Sequence, residues 1–185
     1  SGGNTGIGDR ALSLTTTSAA NTAVGQSALG MANSGSYNTA LGAHALRFNT
    51  AIQNTAVGYM SSKDITTGAG NSSLGNDSLY SLTTGSNNTA MGRNSLLRLT
   101  TGNTNIGIGD NSGVWLSTGT SNIIIGHQYA GVSITTGSNN TVIGGLAGTA
   151  TMASTVLLGA GATERLKIDS TGLYVNGSST ALAGG

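Results

Sequence analysis

The sequence predicts an all-β chain, a parallel β-solenoid of about ten coils of 15 to 18 residues that ends in a β-hairpin, and three observations carry that expectation. The word Asn-Thr-small-aliphatic-Gly recurs nine times, with its Asn at Asn4, Asn21, Asn38, Asn54, Asn71, Asn88, Asn105, Asn122 and Asn140. The spacing stays between 16 and 18 residues throughout, the mark of a solenoid in which each repeat is one supersecondary unit. The composition is aliphatic and glycine-rich: 31 Gly, no Pro, no Cys, 7% charged and 4% aromatic residues.

Within the word, the residue before the glycine is Ile7, Val24, Leu41, Val57, Leu74, Met91, Ile108, Ile125 or Ile143. An apolar side chain at one position of every repeat predicts a core-facing column. Strand alternation puts the Thr column, from Thr5 and Thr22 to Thr141, on that same face. The residue between them is small in most copies and then points the other way; Ala23, Ala40, Ala56 and Ala90 are expected at the close approach of a partner chain.

Each motif glycine, from Gly8 to Gly144, is expected to turn the chain with a backbone conformation that other residues avoid. Four residues on, Leu12, Leu29, Leu46, Leu79 and Leu96 mark a second inward strand, and a further turn follows at words such as Leu82-Thr83-Thr84-Gly85. A degenerate tenth copy reads Thr155-Val156-Leu157-Leu158-Gly159. Ten rungs at about 4.8 Å each make a rod of about 50 Å. The Asn column persists through every coil, which favours an amide hydrogen-bond ladder over a ligand display. A coil with only a few inward aliphatics buries little against roughly 1 to 2 kcal/mol of backbone entropy per residue, so association into a homotrimer is expected.

The chain divides into a repeat domain over 1–159 and a C-terminal hairpin and tail over 160–185. Glu164-Arg165-Leu166-Lys167-Ile168-Asp169 alternates, Ser170-Thr171-Gly172 turns, and Leu173-Tyr174-Val175-Asn176-Gly177 alternates again.

A formal charge of +1 with dispersed Lys and Arg gives no footprint for nucleic acid or an anionic membrane. No run reaches the ~18 apolar residues of a membrane-spanning helix. The acids Asp9, Asp64, Asp77, Asp110, Glu164 and Asp169 are too dispersed to nominate a catalytic pair, so no enzyme, cofactor or metal is expected. His44 and His127 have no ligand-spaced partner and read as surface histidines.

The aromatic residues carry the binding expectation. Trp115 shares a column with Met31, Asp64, Ser81 and Arg98, a mixture that an exposed slot tolerates. Tyr129 stands where Ser95 and Ser112 are small, so the eighth coil must bulge or expose a ring there. Trp115, His127 and Tyr129, in neighbouring coils, form the expected receptor contact.

The stretch Gly85-Ser86-Asn87-Asn88-Thr89-Ala90-Met91-Gly92-Arg93-Asn94-Ser95-Leu96 resembles the head repeats of trimeric autotransporter adhesins, and still more the repeats of bacteriophage tail fibres. The resemblance covers residues 4 to 159 and implies three parallel β-rolls side by side. It implies attachment to a host-surface glycan or protein from a virion, or from a bacterial surface if the adhesin likeness holds. In phage fibres a stretch like Glu164–Asp169 precedes an intramolecular chaperone that is cleaved off. Two rivals stand beside this reading. An ice-binding solenoid would present Thr67, Thr84, Thr101, Thr118 and Thr136, although that column lapses near Ala32-Asn33-Ser34-Gly35; a depolymerising tailspike would carry acids across subunits.

Overall fold

A computed structural model describes residues 2–14, 16–31, 35–161 and 163–175. Ala32 to Ser34 and Asn176 to Gly185, which entered the expectations above, lie outside the described residues. The described residues form a twelve-stranded sheet whose strand order is its sequence order. The strands are β1 Thr5–Ile7, β2 Thr22–Val24, β3 Thr39–Leu41, β4 Thr55–Val57, β5 Ser72–Leu74, β6 Thr89–Met91, β7 Ile106–Ile108, β8 Ile123–Ile125, β9 Thr141–Ile143, β10 Val156–Ala160, β11 Thr163–Asp169 and β12 Gly172–Val175. From β1 to β10 every pairing is parallel and in repeat register, Thr22 against Thr39 and Ala23 against Ala40, so each coil returns the chain one rung along. The degenerate copy at Thr155–Gly159 does make a tenth rung. The expected hairpin follows: β11 pairs antiparallel with β10 and β12 with β11. It covers the exposed edge that the last parallel strand would otherwise present.

The strand faces are the reverse of the sequence expectation. Ala23, Ala40, Ala56 and Ala90 are all 0% exposed, inside their own coil, whereas Ile7, Leu41, Leu74, Met91 and Ile143 are 41 to 62% exposed. The four alanines therefore have no surface to give a partner chain. A three-residue strand has a single inward position, its middle one, and there the coil is narrow. A Cβ on Gly107 would stand 2.6 Å from Leu96 Cγ and 2.7 Å from Ser95 Oγ. The small-residue column thus records the close approach of the coil's own second column, not of another molecule.

That second column is no strand. Leu29, Leu46, Leu79 and Leu96 are buried but hold left-handed backbone, with φ between 48° and 51°. Burial of an aliphatic side chain, ~1.5–3 kcal/mol, offsets a conformational cost of about 1–2 kcal/mol. A third column, Ile65, Leu82, Leu99, Leu116 and Ile134, completes the core.

The Asn column is the expected ladder. Asn71, Asn88, Asn105 and Asn122 are buried, and each Oδ1 accepts the backbone N–H of the next column residue at 2.9 to 3.1 Å. Each Nδ2 donates to a turn carbonyl, as from Asn88 to Gly102 at 2.9 Å. The motif glycines have φ of 105° to 152°, and a Cβ on Gly25 would lie 2.6 Å from the carbonyl carbon of Gly42 one rung away. Both the backbone conformation and the rung stacking require glycine there.

Candidate binding surfaces

Three sides of the solenoid differ in chemistry. The strand side presents Thr and aliphatic residues in two outward columns; over β4 to β6 it carries a shallow groove lined by Thr55, Val57, Ser72, Leu74, Thr89 and Met91. The side after the third inward column is uncharged. Thr66, Thr83 and Thr100 donate their hydroxyls to the carbonyl one rung on at 3.0 to 3.1 Å, while Thr67, Thr84, Thr101, Thr118 and Thr136 are exposed.

The remaining flank runs from each motif glycine to the third inward column. All nine charged residues of positions 4–159 fall there: Asp9, Arg10, Arg47, Lys63, Asp64, Asp77, Arg93, Arg98 and Asp110. Phe48, Tyr59, Tyr80, Trp115 and both histidines fall there too. In chain order these charges are dispersed; ordered by repeat position they collect on one side.

On this flank cations and rings interleave between coils. The Lys63 ammonium lies 4.7 Å from the Tyr80 ring centroid and 5.6 Å from that of Phe48, and donates to Tyr80 Oη at 3.1 Å and Asp64 at 3.0 Å. The Tyr80 bond first, and then Asp64, raises its pKa above the usual lysine value. Arg93 grips Asp110 with two hydrogen bonds of 2.8 and 3.1 Å, holding that carboxyl below its ordinary range. Asp77 behaves oppositely: burial pushes its pKa up, against a smaller opposing pull from Lys63, and Oδ1 has no hydrogen-bond partner.

The structure treats the three expected receptor residues separately. Trp115 is exposed, and the Arg98 guanidinium lies 3.9 Å from its ring centroid. Tyr129 and His127 are also exposed, but among the described residues no ring contact joins either to Trp115. The eighth coil bulges as its extra residue requires: Ala130 takes the buried small slot and Gly131, at φ 61°, the left-handed one, so Tyr129 is displaced outward. His44 is half-buried, edge-on to Tyr59 at 6.3 Å between centroids, so it is not the free surface histidine expected. Among the described residues no group of three His, Cys, Asp or Glu gathers as a metal site.

No protein-family model matches this sequence, and neither a characterised protein nor a solved structure is significantly similar to it. The fold and the chemistry of the three sides carry the functional reading.

Proposed function

We propose that this chain is a structural and host-surface-binding fibre segment, a homotrimer of solenoids packed side by side as in phage tail fibres, carried on the virion. One observation supports it above the others: the outward aliphatic column. Ile7, Leu41, Leu74, Met91 and Ile143 stand 41 to 62% exposed along one side, with half-buried Val24, Val57, Ile108 and Ile125 on the rungs between them, flanked by Thr and free of charge. A contiguous apolar face of this kind marks an interaction surface. Buried between chains it would supply the core that one narrow coil lacks. A second copy fits better than an unrelated partner, because the face repeats with the coil itself and matches any identical face in register. Around one fibre axis, three such faces close on each other.

Light scattering on the intact chain tests the assembly, with Leu41→Asp/Leu74→Asp as the disrupting variant. A trimer that this variant dissociates into folded monomers supports the reading; a wild-type monomer at micromolar concentration removes it. Binding to a panel of bacterial strains tests the attachment role. The exposed Thr67-to-Thr136 column supports one second reading, ice binding, which thermal hysteresis on the same sample would reveal.

A further inference from the structure

We propose that a groove on the charged flank of the fourth to sixth coils, lined by Met60, Asp77, Tyr80, Asn94, Leu97 and Arg98, is a saccharide-binding site. The proposal deepens the reading of the chain as a surface-binding fibre and rests on it for the biological source of the sugar. The groove has a volume of about 420 Å³, within the range that holds a small ligand.

Its chemistry is what a sugar ring asks for. Met60, Leu97 and the Tyr80 ring offer apolar surface to the C–H face of a pyranose, while Asp77, Asn94 and Arg98 surround it with acceptors and donors for hydroxyls and ring oxygens. Arg98 is held at the rim by stacking on Trp115 at 3.9 Å, which leaves the edge of its guanidinium free to donate.

Asp77 is the residue that needs a ligand. It belongs to a column of left-handed residues, His44, Met60, Asp77, Asn94 and Asn111, with φ of 53° to 61°. Above it one bond links the rungs, Asn94 Nδ2 donating to Asn111 Oδ1 at 3.0 Å, and Asn111 Nδ2 donates to the adjacent Asp110 at 2.9 Å. An Asn at 77 would suit the same backbone and carry an amide donor into that series. The carboxylate ends it, and no described donor reaches Oδ1. A buried acceptor without a donor is costly. Rotation about χ2 turns either oxygen toward the groove, where a pair of sugar hydroxyls would satisfy it.

The probe is an array of short neutral-hexose, N-acetylhexosamine and acidic-sugar oligosaccharides, followed by calorimetry of the hits on the intact chain. At least one class should bind, and Asp77→Asn and Arg98→Ala should each weaken it by about tenfold or more. Thr101→Ala, on the uncharged side, should not change it. Thermal melts of the same variants separate lost binding from lost folding, since Asp77→Asn is expected to melt no lower than the parent. If no oligosaccharide binds while the chain still attaches to cells, the ligand is not a saccharide and this proposal alone fails. It fails equally if a sugar binds and neither substitution matters. A chain that attaches to no strain yet binds sugars through Asp77 keeps the site and overturns the fibre reading instead.

Discussion

Ile124 fills the space that Gly113 leaves: a Cβ on Gly113 would stand 3.0 Å from Ile124 Cδ1, and one on Gly131 2.8 Å from it. In neighbouring coils a left-handed Leu fills that volume against a small strand residue, as Leu96 does beside Gly107. In the eighth coil the large and small partners are exchanged. Ile124→Ala should therefore cost about 2–5 kcal/mol through its cavity, and Gly113→Leu should be destabilising by overpacking. The double variant should be less impaired than the two losses added together, with a coupling of roughly 0.5–3 kcal/mol in urea unfolding. Simple additivity would show that the two positions do not share one cavity.

The strand faces predict different outcomes for two acidic substitutions. Ala56→Asp places an uncompensated carboxylate inside the coil and should abolish folding by circular dichroism. Leu74→Asp, on a side chain 46% exposed, should leave the β signal intact and shift the molecular mass by light scattering. Equal loss of secondary structure in both would contradict the assigned faces.

The buried amide ladder is a stability element. Asn88→Ala removes the acceptor for two donors of Asn105, at 2.9 and 3.0 Å, and the donor to Gly102 at 2.9 Å. Each buried group left unsatisfied costs about 1–3 kcal/mol. The central coils should open first, and hydrogen exchange should be fastest at the fifth to seventh rungs; a variant as protected as the parent would show that the ladder is dispensable.

Trp115→Ala removes the ring on which Arg98 stacks, an exposed cation–π contact of about 0.5–1 kcal/mol. The melting temperature should fall by no more than a few degrees. Attachment to cells should weaken, because Arg98 loses its fixed position at the groove. Parental binding by this variant would leave the ring as packing alone.

Asp77 gives a pH dependence with a definite sign. Burial raises its folded pKa above the unfolded value of 3.8, so the folded chain holds this proton more tightly than the unfolded chain does. Its contribution favours folding at low pH and is lost as pH rises through the unfolded and then the folded pKa. Asp77→Asn should consequently melt higher than the parent at neutral pH, and the difference should vanish in acid below 3.8. A gain that persists unchanged in acid would point to the backbone, not to the charge.

The repeat made much of this architecture readable before any coordinates. The repeat pitch, rung order, the degenerate tenth strand, the Asn ladder, the glycine turns and the closing hairpin follow from spacing, because each is local to one coil or copied between adjacent ones; the ten parallel strands bound about nine full coils, one fewer than expected. A large ring in a column of small residues is enough to expect a bulge or an exposed ring at Tyr129; that Ala130 takes the buried slot in its place is visible only in the folded coil.

The tertiary structure decided which way the strands face. Period-two alternation shows that Ala56 and Val57 point to opposite sides, but not which side is inside. Hydrophobicity favoured the larger residue, whereas the narrow coil admits only the smaller one opposite a buried Leu column. The same folding decided the candidate site. Asp77, Tyr80, Asn94 and Arg98 are dispersed along the chain and acquire a shared groove only when successive coils stack in register. A solenoid's repeat determines its coils from within each unit; what lies inside a coil, and what meets across rungs, depends on contacts that exist only after the coils have closed and stacked.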